Sequence, residues 1–89
     1  MKLKISVKRM TDTAILPTRG SKYAAGYDLY ADIEQDVFIE PHESVKIPTG
    51  VAFELPEGTF GAVFARSGLA AKEGLSPANC TGVCDSDYR

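Results

Sequence analysis

Three short groups of residues in this chain have the types and spacing to do chemistry. Arg66, Ser67 and Gly68 stand where an extended run gives way to a helical one. Free backbone N–H groups at such a junction, a guanidinium that can fork two oxygens, and a glycine that admits a close backbone approach together make an anion trap. Asp85, Asp87 and Tyr88 form the second group: a carboxylate held in a tight turn can act as a general base toward water, and a neighbouring ring is a platform for a sugar or base. Asp28, alternating with Tyr27 and Leu29, is a third candidate for the same pocket. Each has a plain structural alternative: a surface arginine with a helix-capping serine, carboxylates that bond their own turn, a solvent-facing strand residue.

The elements that must position these groups read as mostly extended. Lys2–Val7 alternates polar and apolar residues with a period of two, the pattern of a half-buried strand. Leu16–Gly26 is rich in turn formers and reads as a long ordered loop feeding residues 27–33. The runs at 36–40, 43–48, 50–55 and 59–65 are short, β-branched or aromatic, and separated by "PHE", "PTG" and "PEG". Strands at that spacing suggest a sandwich or barrel. Residues 66–75 break the pattern, with helix formers from Leu69 to Glu73, a possible cap at Ser67 and a stop at Gly74. Beyond them, Thr81 and Gly82 lie between short extended arms, which fits a β-hairpin. The expectation is one all-β domain over residues 1–89 with a short helix near 67–73.

Bulk properties narrow the function. At 89 residues and a formal net charge of -2, the chain has no basic excess to suggest a nucleic-acid partner. No apolar run approaches the roughly 18 residues of a membrane helix, and the N-terminus lacks a secretion signal, so the expected location is the cytoplasm. A chain of this mass buries roughly 60–65% of its unfolded surface when it folds alone. Cys80 and Cys84 are too few for a disulfide scaffold, and the only histidine, His42, lies far from them, so a zinc site is not indicated. Both cysteines read as buried or half-buried small residues.

Taken together and in order, "AGYDLYA", "RSGLAAKEGL" and "NCTGVCDSDYR" closely resemble the first three signature motifs of the trimeric dUTP diphosphatases, the dUTPases. "IPTGVAFELPEG" resembles the stretch that family carries between its first and second motifs. The resemblance covers roughly Leu3–Arg89 and implies a distorted β-jelly roll, a homotrimer with active sites between subunits, and Mg²⁺-dependent hydrolysis of dUTP to dUMP and pyrophosphate. On the matching positions, Asp85 activates the attacking water. Arg66, Ser67 and Gly68 hold the phosphate chain, and Asp28 contacts Mg²⁺ through its waters. The hairpin Asn79–Tyr88 takes uracil, with the Asn79 amide and backbone from Gly82 through Val83 and Cys84 to Asp85 lining the slot, and Tyr88 lies under the deoxyribose.

Departures from the family pattern shape the expectation. Ala65 stands where the family often has proline. The fourth motif and the glycine-rich fifth motif do not occur by Arg89, so the resemblance implies a jelly roll lacking its C-terminal part, and a chain weak or inactive by itself. A non-catalytic dUTPase-like domain that binds nucleotide or a partner is the alternative. dCTP deaminase shares the fold and an Arg-Ser stretch, but Ser86-Asp87-Tyr88 stands where its hairpin has Pro-Gly and an aromatic residue.

Overall fold

The computed structural model describes residues 2–89. Its regular elements are four short strands and one helical turn: β1 (Ser6–Arg9), β2 (Val51–Glu54), β3 (Phe60–Val63), a short helix (Leu69–Glu73) and β4 (Gly82–Asp85). β1 pairs with β2, and β3 with β4, each couple forming a two-stranded sheet. The chain is therefore all-β, as the sequence predicts, with its helix in the expected place. By contacts it divides into two compact units, Val7–Phe53 and Met1–Ser6 with Glu54–Arg89.

In the Val7–Phe53 unit, order comes from polar contacts around one tight glycine. Asp32 accepts hydrogen bonds from the hydroxyls of Thr11 at its Oδ2 and Thr13 at its Oδ1, both 2.6 Å. Thr11 Oγ1 in turn accepts from the Ala14 N–H at 3.0 Å, and Ala14, 4% exposed, is the buried hydrophobic residue among those described. The Asp32 N–H donates to the Pro48 carbonyl at 2.8 Å, and the Met10 N–H to the Gly50 carbonyl at 2.7 Å. Gly50 has φ +69°, and a Cβ there would lie 2.5 Å from Asp32 Oδ2, 2.8 Å from Ala14 Cβ and 2.9 Å from Thr11 Oγ1. Only glycine meets both demands, a left-handed backbone and no side chain.

In the unit containing Glu54–Arg89, β3 and β4 run antiparallel with Phe60 opposite Asp85, Gly61 opposite Cys84, Ala62 opposite Val83 and Val63 opposite Gly82. Period-two alternation puts Gly61, Val63, Gly82 and Cys84 on a half-buried face and Phe60, Ala62, Val83 and Asp85 on an exposed one. A turn at Pro56–Thr59 leads into β3, with both the N–H and the hydroxyl of Thr59 donating to the Pro56 carbonyl. The helix following β3 is wide, of the π type, and stops at Gly74, which takes the left-handed conformation (φ 66°) expected of it. Ser67 does not cap it. The cap position falls at Gly68, which has no side chain to offer, and Ser67 lies within the helical run.

Several expected strands are not seen among the described residues. The runs at 36–40 and 43–48 carry no ladder, and residues 27–33 contribute only an isolated bridge between Thr18 and Asp28. The predicted strand at Lys2–Val7 is displaced to Ser6–Arg9. Alternation states which side chains would share a face, whereas a ladder also needs a neighbouring backbone within reach. The expected hairpin within residues 76–88 is likewise replaced: β4 pairs with β3, and turns flank it on both sides.

Burial is also lower than expected. The chain exposes 7943 Å², whereas a folded monomer of 9.6 kDa exposes roughly 5,100 Å², so it buries roughly 40% rather than 60–65% of its unfolded surface. Phe60 and Val83 are 65% and 63% exposed on the outer face of their sheet.

Two stability predictions follow from the Gly50 cluster. Gly50→Ala lowers unfolding free energy by about 2–4 kcal/mol, through left-handed strain and overpacking. Gly26→Ala, where a Cβ meets nothing within 4 Å, changes it by less than about 0.5 kcal/mol; urea denaturation of the two variants is the measurement. The second concerns acid. The hydroxyls of Thr11 and then Thr13 hold the Asp32 carboxyl below its ordinary value of 3.8. A lowered folded pKa stabilises the fold above the unfolded value, and that contribution is lost as pH falls through the folded one. Urea midpoints followed from about pH 5 to pH 2 therefore fall less steeply below about 3.8 in Asp32→Ala than in the wild type.

Candidate active site

The phosphate-binding candidates come together. Arg66, Ser67 and Gly68 line one concavity of about 310 Å³ with Leu69, Lys72 and Glu73. The Ala70 N–H donates to the Arg66 carbonyl at 2.9 Å. The amides of Ser67, Gly68 and Leu69 precede that first helical bond and have no acceptor within the helix. Two cationic side chains, Arg66 and Lys72, face this hollow against the single carboxylate of Glu73. Its chemistry suits an anion with several oxygens.

The second group is organised by β4. Asp85 ends the strand on its exposed face, opposite Phe60. A turn follows immediately, closed by the Tyr88 N–H donating to the Asp85 carbonyl at 3.1 Å, and Tyr88 stands 70% exposed beyond it. Arg89, which the sequence did not single out, fastens this turn. Its Nη1 donates to the carbonyls of Ser86 (3.0 Å) and Tyr88 (2.8 Å), and its Nη2 lies 3.6 Å from Glu54 Oε2. The ion pair is exposed and contributes little, so the backbone contacts are what restrain the turn.

Before β4 the chain makes an unusual turn. The Thr81 N–H donates to the Asn79 carbonyl at 2.7 Å, two residues back, and Cys80 between them has φ 64°. This is a γ-turn with its central residue in the left-handed region, a strained form for a residue with a side chain. It folds Asn79 over the start of β4, so that a Cβ on Gly82 would lie 3.9 Å from Asn79 Nδ2. Cys80 is exposed, contrary to the expectation that both cysteines are at least half-buried. Cys84 is half-buried on the inner face, and both are free thiols.

Asp28, half-buried, belongs to the other unit. Its backbone N–H and carbonyl bridge to Thr18 at 2.7 and 3.3 Å, and its Oδ2 lies 3.6 Å from where a Cβ on Gly20 would be. The predicted loop is thus an ordered excursion closed at its neck. It is held further by Thr18 Oγ1 against the Tyr30 hydroxyl at 2.6 Å, by Arg19 bonded to the Ala24 carbonyl, and by Arg19 over the Tyr27 ring.

The β3–β4 register keeps the two groups of its unit apart. Val63, paired with Gly82, leads toward Arg66, while Asp85 lies at the Phe60 end. Three strand steps make those ends about 10 Å apart.

A family model for dUTPase matches residues 12–89. The chain belongs to the dUTPase family. Over 90 residues it is 53% identical to the deoxyuridine 5'-triphosphate nucleotidohydrolase of Desulfitobacterium hafniense (strain DSM 10664 / DCB-2), covering 100% of this chain and 60% of that protein. The enzyme of the same name from Wolbachia pipientis subsp. Culex pipiens is 41% identical over 90 residues, covering 99% of this chain and 59% of its own length. That from Aquifex aeolicus is 49% identical over 74 residues, covering 83% and 49%. The dUTPase-family chain thus spans about 60% of the length of the first two relatives.

The left-handed turn ahead of β4 can be tested directly. Cys80→Gly relieves the strain and raises unfolding free energy by about 0.4–1 kcal/mol, whereas Cys80→Val, β-branched, lowers it. Thermal unfolding of the two variants beside the wild type checks both signs.

Proposed function

We propose that this chain serves the hydrolysis of dUTP to dUMP and pyrophosphate, with Asp85 as the base that orients and activates water. The observation that carries the reading is the β3–β4 register. It brings Asp85 to the end of a strand whose other edge has no ladder partner among the described residues. The unpaired edge of β4 offers N–H and C=O groups in a fixed sequence, and uracil's acceptor, donor, acceptor edge can be matched by such a row. Cytosine, with an acceptor at N3 and an amino donor at C4, would leave buried polar groups unmatched, which discriminates by about 10⁴ in favourable cases. Gly82, Val83, Cys84 and Asp85 supply that backbone, Asn79 adds its amide, and Tyr88 packs under the deoxyribose.

Arg66, Ser67 and Gly68 bind the phosphate chain in their concavity. Asp28 serves a magnesium ion through that ion's bound water. Among the described residues no group of three His, Cys, Asp or Glu gathers to form a metal cage. A half-buried carboxylate fits a hard cation that keeps most of its waters and takes its other ligands from phosphate oxygens. When bound, Mg²⁺ supplies positive charge against the triphosphate.

The separation of the phosphate and uracil groups along one ladder supports an active site shared between copies, with a homotrimer as the assembly; the proposed location is the cytoplasm. The same separation supports equally the reading that a single copy is weak in catalysis.

Asp85→Asn tests the central role. Pyrophosphate release from dUTP falls by about 10³-fold, within the range of a lost general base, while dUTP affinity stays within about threefold. Equal loss of binding would show that Asp85 holds substrate rather than activating water.

A further inference from the structure

Asp32 lies four residues beyond Asp28 in the same extended run, and nothing in the reaction outlined above uses it. Its side chain is nevertheless among the most constrained of its unit. Each carboxylate oxygen takes a different threonine hydroxyl at 2.6 Å, which fixes the plane of the group as well as its position. Its N–H is tied to the Pro48 carbonyl at 2.8 Å, and the Gly50 backbone leaves no room for its Oδ2 to shift in that direction. Asp28, at the other end of the run, is held through its backbone by Thr18 at 2.7 and 3.3 Å. Between the two anchors stand only Leu29, Tyr30 and Ala31, with the Tyr30 hydroxyl tied back to Thr18.

An extended segment pinned at both ends has few ways to move. Released at Asp32, it would keep the Thr18 bridge but lose the restraint that sets its direction. A displacement of about 1 Å at a group that meets a metal's water shell is enough to weaken its action.

We propose that Asp32 is a positioning residue for Asp28: the Thr11–Asp32–Thr13 clamp holds the segment from which Asp28 addresses a divalent cation. The inference rests on the reading of Asp28 given above. Asp32 acts through the segment it fixes, each of its oxygens being held by one hydroxyl donor. The hydroxyls that hold its carboxyl below the ordinary range also keep it ionised, and so able to accept both bonds, at neutral pH.

The test is Mn²⁺ binding by the protein in the presence of α,β-imido-dUTP, read from the loss of the free-ion electron paramagnetic resonance signal. Each variant is measured at a temperature where circular dichroism shows it folded. Asp32→Ala weakens Mn²⁺ binding about tenfold, the loss typical of residues that orient a ligand from behind. Thr13→Val, which removes one donor and leaves the Thr11 to Ala14 bond, weakens it in the same direction and keeps the test available should Asp32→Ala not fold. Thr13→Ser, which keeps the hydroxyl, stays within about twofold of the wild type. Asp28→Asn weakens binding at least as much as Asp32→Ala. If Asp28→Asn weakens Mn²⁺ binding while Asp32→Ala and Thr13→Val leave it unchanged, the clamp is purely structural and the proposal fails with the Asp28 reading intact. If Asp28→Asn also leaves it unchanged, both fail.

Discussion

The carboxylate of Asp32, pinned between two threonine hydroxyls and closed in by the Gly50 backbone, is the constraint around which the Val7–Phe53 unit is organised. Three separate stretches of chain meet there: residues 10–14, Asp32, and residues 48–50. In a unit with so little apolar burial, a hydrophobic core cannot determine which segments lie side by side. Directional hydrogen bonds to an ionised group do it instead, because they are shorter and stronger than neutral ones and tolerate little misalignment. The pairing of β1 with β2 follows, since the Met10 to Gly50 bond fixes where the strands come alongside one another.

The unit containing β3 and β4 solves the same problem with a ladder. Four residue pairs set the register, Leu55 packs within 3.1 Å of where a Cβ on Gly61 would lie, and the functional candidates hang from the ladder's two ends. The outer face, carrying Phe60, Ala62 and Val83, remains exposed. With 7943 Å² accessible, against roughly 5,100 Å² for a self-contained fold of this mass, the chain presents much apolar surface whose burial would be favourable.

What could be read from the sequence was whatever depends on local chemistry. Gly74 stops the helix because only a residue without Cβ adopts the left-handed conformation cheaply, and that is visible in "KEGL". β3 falls within the aromatic and β-branched run at 59–65. Asp28 stands out as a carboxylate alternating with Tyr27 and Leu29, and Asp85 as a carboxylate in a turn close to the Tyr88 ring. What could not be read depends on partners distant in the chain. Nothing around Asp32 announces that its oxygens meet hydroxyls 19 and 21 residues away, although "TDT" next to an apolar run is the kind of stretch that offers such donors. The shift of β1 and the replacement of the expected hairpin by β3–β4 pairing have the same origin, since alternation specifies a face and not a neighbour. Nothing in the sequence marks Arg89, since an arginine side chain is normally solvated, or Cys80, whose importance lies in its φ angle rather than its sulfur.

On the function proposed above, the left-handed turn at Cys80 also bears on how a pocket made of backbone would select its base. A side chain that reads uracil can rotate or be replaced, whereas the N–H and C=O groups of β4 keep their order as long as the strand stays in register. Register, in turn, is vulnerable at the strand's first residue, where the ladder can fray. The γ-turn spanning Asn79, Cys80 and Thr81 opposes fraying by bonding the residue before β4 back on itself, and the Arg89 contacts to Ser86 and Tyr88 do the same at the other end. Strain stored at Cys80 is then intelligible as the local cost of fixing both ends of a strand only four residues long, the one proposed to read the base.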